Sequence, residues 1–411
     1  MTMAQNSRTI VIITNTLFYP ARRNGLSIRY YPLIHELHKL GYIIDIILIN
    51  KYREYFPEAD IHGLKNICRA IDIVEPCDPT HTFINKQIRR IANLFHLFNP
   101  SGIPYCLIDN CRHYYFTRVC ALLENRNRYD YGIGVGVGGN NAELLISLKQ
   151  TIKPKHILCD FIDSAYLLRK RKHGKYGSAF NPINLLEDAK TRRWELFLCK
   201  DIGCIYISDK DAKSVGNSEA HIVPNCVIKE GYDSSDNLHL HTPNIGFLGN
   251  MAYQPNIEAC LFLVTSLFPK LRKLRPDIHL YIIGRNPANE LTKCCDDPHI
   301  HITGEVENIW DYVRSINTFV FPMLTGAGLQ NKILEAMYAG KPVVTSTIGN
   351  AGIGATHGDN IYIANTVDDY VNYTIDAIIN KSIGNNAKSF IENKYSTKSV
   401  VNRYIQAMKS A

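Results

Sequence analysis

The sequence contains no apolar run approaching the ~18–20 residues that cross a bilayer as a helix. It also has no internal repeat at a solenoid period and no low-complexity tract, which excludes stacked-repeat architectures and argues against long disordered segments. Twelve cysteines are present, but none falls in a CxxC pair, and Cys294 and Cys295 are merely neighbours. No metal-ligand spacing emerges, so a structural zinc site is not expected and the thiols are expected to be free. The first residues, "MTMAQNSRTIVIITNTLF", lack the long apolar core and small-residue cleavage site of a secretory signal. They read instead as a first buried strand, and a cytoplasmic location is expected.

The 411 residues are enough for two ordinary domains, and 45% hydrophobic with 20% charged residues is a globular balance. The net charge of +8 is unevenly spread. Residues 1–240 carry 31 Lys and Arg against 24 Asp and Glu, whereas residues 241–411 carry 15 against 14. The basic excess of the first half suits an anionic partner or is simply a solvated face.

Short apolar runs alternate with helical patterns along the chain, the signature of parallel α/β sheets. Strands are expected at 9–14, 42–49, 131–137, 156–162 and 202–208, with a helix over 28–41. A turn-rich stretch, 223–244, reads as a linker. Further strands are then expected at 245–249, 278–284, 300–304, 318–322 and 342–346, with a helix over 256–274. The expected layout is two doubly wound Rossmann-like domains: 1–238, 239–385, and a final helical segment 386–411 crossing back to the first. Ligands of such folds bind outside the carboxyl ends of the strands.

One stretch carries chemistry: "FVFPMLTGAGLQNKILEAMYAGKPVVTS", residues 319–346. Gly326 and Gly328 permit close approach to the main chain. The helix expected from about Leu329 offers unpaired N–H groups to an anion. Lys332 and Glu335, three residues apart, share one helix face. A lysine there suits a phosphate, and a carboxylate one turn on suits two vicinal hydroxyls, the layout of a nucleotide. The plainer alternative is an exposed Lys–Glu pair contributing at most ~0.5 kcal/mol.

The segment "PMLTGAGLQNKILEAMYAGKPVV" resembles the donor-site motif of GT-B glycosyltransferases of the family 4 branch, and is especially similar to the sugar transferases of exopolysaccharide clusters. "ISDKDA" (207–212), "VPN" (223–225), "FLGNMAYQPNIEA" (247–259), "YIIGRNP" (281–287) and "ITGEVENIWDYV" (302–313) follow in the family's order. The resemblance implies a retaining, metal-independent transferase with no cofactor, using a UDP- or GDP-sugar donor and a glycan or lipid-linked glycan acceptor in cell-surface polysaccharide synthesis. It implies that Glu335 binds the ribose and that the backbone of Gly326, Ala327, Gly328 and Leu329 follows the diphosphate and sugar, near Asn331. Gly304, Glu305 and Val306 border the base. Gly249 and Asn250 follow the first strand of the donor domain, and the loop ending at Gly25 closes over the phosphates. Three positions depart from the broad family: Ala327 replaces a glutamate, Asn250 an arginine, and Asn256 a lysine. Lys332 and Arg285 are therefore expected to supply the positive charge for the leaving diphosphate. Asp163, in "CDFIDS", is expected to touch the sugar or the acceptor hydroxyl, or else to cap a helix. A nucleotide-sugar epimerase of the same shape, or a non-catalytic glycan- or nucleotide-binding protein, are the alternatives.

A second glycine run, "YGIGVGVGGNN" (131–141), matches GxGxxG with Asp160 about 20 residues beyond, the dinucleotide layout. Its glycines alternate through the strand itself, so close backbone or ligand approach is the expected use. A basic amphipathic helix over 82–98, with Lys86, Arg89 and Arg90, and the cluster "RKRKHGK" (169–175) are candidates for an anionic membrane surface or for ordinary packing. No nucleic-acid motif accompanies the charge.

Overall fold

The computed structural model describes residues 8–21, 24–51, 53–77, 111–124, 126, 128–149, 153–175, 181–200, 202–227, 229–287, 289–293, 297–325 and 328–411. The expected helix over 82–98 lies outside them. The chain forms two compact units, Met1–Pro224 with Val400–Ala411, and Asn225–Ser399.

In the first unit, near-continuous apolar runs give a seven-stranded parallel sheet. Its strands are β1 (Thr9–Thr14), β2 (Ile43–Ile49), β3 (Ala70–Val74), β4 (Tyr131–Val135), β5 (His156–Ile162), β6 (Gly203–Tyr206) and β7 (His221–Ile222), in the order β3-β2-β1-β4-β5-β6-β7. The first helix begins at Gly25, earlier than its apolar pattern, because the Asn24 side chain accepts from Leu26 N and Ser27 N, each at 3.0 Å. It ends at Lys39, and Gly41 turns at φ +83°. Strand β4 stops at Val135, two residues short of its apolar run, because Gly136, Gly138 and Gly139 all take positive φ. Cys199 and Cys204 form a disulfide where free thiols were expected, their Cα atoms 5.7 Å apart.

The second unit holds a six-stranded parallel sheet ordered β10-β9-β8-β11-β12-β13. Its strands are β8 (Asn244–Leu248), β9 (His279–Ile283), β10 (Ile300–Ile302), β11 (Thr318–Phe321), β12 (Val343–Thr345) and β13 (Tyr362–Ile363). The helix expected over 256–274 runs as Gln254–Phe262, a wide π turn Leu263–Leu267, and Phe268–Leu274. Pro269, which has no N–H to return to the preceding turn, accounts for the widening.

The unit boundary falls at Pro224/Asn225 rather than at 238. The intervening segment is tied to the second unit. Trp310 Nε1 donates to Glu230 O at 2.9 Å, Leu238 N donates to Ser315 Oγ at 2.7 Å, and His241 N donates to Tyr281 Oη at 3.0 Å. At the other end the final segment is two helices, Ser382–Tyr395 and Thr397–Ser410. Val400 onward clusters with the first unit, where Tyr404 Oη lies 3.2 Å from Tyr30 Oη.

Candidate functional site

The order of the second sheet reverses between β8 and β11, and ligands of doubly wound sheets sit at the carboxyl ends of such strands. Gly249 and Asn250 follow β8; residues 322–330 follow β11 and lead into the helix Asn331–Tyr338. Among the described residues of that loop, Gly328 turns at φ +72°, and a Cβ on Gly352 would lie 2.6 Å from the Gly328 carbonyl oxygen. Gly326 and Ala327 lie outside the described residues.

Lys332 is not on an exposed face. Seven of the eight residues of its helix are buried, including both Lys332 and Glu335, while Leu334 and Met337 pack into the core. The Lys332 ammonium donates to Asn256 Oδ1 and lies 4.6 Å from the centre of the Phe247 ring. Burial is the largest influence on its pKa and pushes it down to about 7. Asn256 Nδ2 in turn donates to Asn250 O at 2.8 Å. The two asparagines that stand where cations were expected thus form a chain running from the β8 turn to the buried Lys332. Asn250 Oδ1 accepts from Ala252 N at 3.0 Å and from Asn286 Nδ2 at 3.2 Å.

The neighbouring strand ends are brought close by glycine. A Cβ on Gly284, which takes φ +142°, would fall 1.9 Å from Gly249 O. Gly249 N donates to Ile283 O and Met251 N to Arg285 O, each at 3.0 Å, so the Arg285 backbone is fixed beside Asn250 while its side chain is exposed. Beyond β10, Gly304 turns at φ +69°, Glu305 is exposed and Val306 half-buried. Asn331 Oδ1 accepts from Asn225 Nδ2 at 3.2 Å, joining the "VPN" motif to the start of the helix.

In the first unit, Gly25 opens the first helix. Asp163 follows a bulge at the end of β5 where Ile162 takes φ +67°, a strained conformation for a β-branched residue. Half-buried, Asp163 has its carboxyl pushed up to about 6, by burial first and then by the charge of Asp211. The helix that follows is capped by Ser164, whose Oγ accepts from Leu167 N at 3.2 Å. Behind it lies Glu195, which no sequence motif marked. Its carboxylate accepts from Ala165 N at 2.6 Å and Ser164 Oγ at 2.9 Å, and burial pushes its pKa up to about 7. Asp160 is buried and bonded by Arg29 Nε at 3.0 Å, Arg29 Nη2 at 2.8 Å and Tyr30 Oη at 2.6 Å, so it holds the core together and is not placed to read a ribose.

Asp209-Lys210-Asp211 is an Asp-x-Asp triplet, but its carboxylates do not converge: Asp209 pairs with Lys213, and Asp211 accepts from Ser164 N at 3.1 Å. Among the described residues no group of three or more His, Cys, Asp or Glu is placed to hold a metal ion. Within the basic cluster 169–175, Arg169 and His173 are turned onto Asp188, at 3.0 and 3.2 Å. Among the described residues no helix is long and apolar enough to cross a membrane.

Residues 242–380 match the family model of glycosyl transferases group 1, a span covering the reversal point and the Lys332 helix. Residues 242–380 are a group 1 glycosyltransferase domain. The whole chain is similar to an uncharacterized 44.6 kDa protein in the cps region of Klebsiella pneumoniae, 25% identical over 406 residues, 95% of this chain and 97% of that one. Among solved structures it is similar to Anabaena Alr3699/HepE in complex with UDP and glucose, with 12% identity, 98% and 99% coverage and a TM-score of 0.60. It is likewise similar to sucrose-phosphate synthase from Thermosynechococcus elongatus, with 12% identity, 98% coverage of each chain and a TM-score of 0.63. The glycosyltransferase domain is thus one of the two Rossmann-like units of a GT-B fold.

Proposed function

We propose that this glycosyltransferase moves a sugar from a UDP- or GDP-sugar to a hydroxyl of a glycan or lipid-linked glycan, with retention of anomeric configuration. The bond between C1 of the sugar and the diphosphate oxygen breaks, and its electron pair leaves with the diphosphate. A new bond forms from C1 to the acceptor oxygen, whose proton is released. The leaving group gathers negative charge, so catalysis asks for cations and amide donors already in place. The observation that carries the reading is the Lys332–Asn256–Asn250 chain at the reversal point of the second sheet. It places a desolvated lysine beside the turn at the end of β8, close to a helix start.

In this reading Lys332 is the main cation on the diphosphate, assisted by Arg285 and by the amides of Gly328, Leu329 and Asn331. Glu335 accepts the ribose hydroxyls, Gly304 to Val306 flank the base, Gly249 and Asn250 border the diphosphate, and Gly25 covers the phosphates. Asp163 contacts the sugar or the acceptor hydroxyl. These cations and amides make a bound metal unnecessary. UDP in the Anabaena structure supports a uridine donor as the first to try. Synthesis of a cell-surface polysaccharide is supported by the Klebsiella relative in the cps region.

The test is incubation with UDP- and GDP-sugars and a glycan acceptor, with products read by mass spectrometry and NMR. Transfer with the donor's anomeric configuration supports the proposal. Epimer formed from donor alone identifies an epimerase, and an unchanged donor identifies a binding protein.

A further inference from the structure

Four of the chain's 15 histidines meet at the amino ends of the second sheet, the end opposite the proposed donor site. His241 precedes β8, His279 opens β9, and His299 and His301 stand on either side of Ile300, where β10 starts. Tyr281 lies opposite His301 in the parallel pair, so the strand alternation puts His279, Tyr281, His299 and His301 on one face. The His241 ring stacks over that face, its centre 4.5 Å from the His279 ring and 5.9 Å from the His301 ring. The His299 ring centre is 4.6 Å from that of His279, and Tyr281 stacks on His301 at 4.5 Å. His279 Nδ1 and His301 Nε2 are 3.0 Å apart, with their rings within 24° of parallel. The backbone follows the rings: His241 N donates to Tyr281 Oη at 3.0 Å, and His241 O accepts from Asn244 Nδ2 at 2.8 Å.

A hydrogen bond between two imidazole nitrogens needs one proton between them. Two neutral rings supply it. One added proton goes to an outer nitrogen and leaves the bond intact, but a second sets N–H against N–H and breaks it. Histidine is the side chain whose charge ordinarily changes between about pH 5 and 8, so acid gathers like charges among rings that touch. Counter-charge is scarce among the described residues. Asp297 accepts from His299 Nδ1 at 3.0 Å and is shared with Arg272, 4.0 Å away on the helix Phe268–Leu274. Asp277, two residues before His279, is paired with Arg275 at 3.1 Å. Tyr281, its phenol pushed up by burial, brings no negative charge, and Tyr312 faces it from the helix Ile309–Ser315. Burial, then the charges of His241, His299, His301 and Arg272, hold the His279 imidazole down to about 4, and burial also holds His301 down. The folded state therefore refuses protons that an unfolded chain takes up near pH 6.5. The cluster's stabilising effect is full above that pH and is lost as pH falls toward about 4.

We propose that these four histidines form an acid-sensitive latch: their neutral rings fasten the chain entering β8 onto β9 and β10, and proton uptake releases it. The latch works whether or not the second unit holds a nucleotide. The experiment is hydrogen exchange of the full chain at pH 7.5 and 5.0, read by mass spectrometry and corrected for the intrinsic pH dependence of amide exchange. Peptides spanning 238–246 and 277–283 are expected to exchange about tenfold faster or more at pH 5.0, while peptides of the first sheet keep their protection. Three variants remove a charge and keep the contact. His279→Asn places an amide where Nδ1 stands, His301→Gln places one where Nε2 stands, and His241→Phe keeps a stacking ring at an exposed position, where folding is least at risk. Each variant is expected to shrink the acid-induced rise several-fold. Equal corrected rates at the two pH values in the wild type overturn the latch. So does a rise spread evenly over both units, or one that every folded variant keeps in full.

Discussion

A lysine held near neutrality by burial makes diphosphate binding depend on pH in a defined direction. In the free protein Lys332 has its pKa pushed down to about 7. Above that value most molecules carry a neutral amine. If Lys332 is the cation on the leaving group, a bound diphosphate restores the charge, and each molecule bound takes up a proton. Every pH unit above 7 then costs about 1.4 kcal/mol, a tenfold weaker Kd, until the pKa of the bound state is reached. At pH 8 the uptake is about 0.9 proton per site. A phosphate's second ionisation lies near pH 6, so UDP itself contributes little above pH 7.5. Calorimetry of UDP binding at pH 7.5, 8.0 and 8.5, in buffers of different ionisation enthalpy, reads both slope and uptake. Lys332→Met removes both. A wild-type Kd that stays flat from pH 7.5 to 8.5 with no proton uptake would refute the assignment of Lys332, as would a methionine variant that keeps the slope.

Three further outcomes test the packing beneath the sites. Asn256→Leu removes the acceptor of the buried Lys332 and the donor to Asn250, one charged and one neutral hydrogen bond, and is expected to destabilise the second unit by about 2–4 kcal/mol in urea unfolding. Glu195 has a folded pKa of about 7 against an ordinary 4.5. The folded state therefore holds the proton more tightly than the unfolded one, and its stabilising effect, full below pH 4.5, is lost as pH rises to about 7. Glu195→Gln removes that part of the slope, up to about 3 kcal/mol between pH 5 and 8, and identical slopes for variant and wild type would contradict it. Gly134→Ala drives a methyl into the Ala142 backbone and is expected to cost about 3 kcal/mol or more, read as lost soluble yield or a lower Tm.

The parallel sheets were legible because strands buried on both faces read as unbroken apolar runs. Strand β3 was not, since "AIDIV" places Asp72 in its middle, where the carboxylate pairs with Arg126 at 2.6 Å. β7 and β13, at two residues each, are too short to leave a pattern. The donor-side residues were legible as a motif, but their burial was not. Spacing alone puts Lys332 and Glu335 on one helix face, and it takes the packing of the whole helix to show that the face is inside. Asn250 and Asn256 stood out as departures, and their bonding to each other and to Lys332 was the signal those departures held. Glu195 left no trace. It sits in the last turn of the helix Pro182–Leu198, 31 residues from the Ser164 it bonds, and only tertiary structure joins them. Nor does any residue type announce the positive φ of Ile162.

The central claim is that the second unit binds a nucleoside diphosphate through Glu335 and Lys332. It is tested most directly by calorimetric titration of UDP, GDP, ADP, CDP and TDP into the wild-type chain and into Glu335→Ala. At least one diphosphate is expected to bind the wild type, with Glu335→Ala weakening it about tenfold or more, the scale of a lost hydrogen bond to a charged group. Binding of none of the five, or equal binding by the variant, would contradict it.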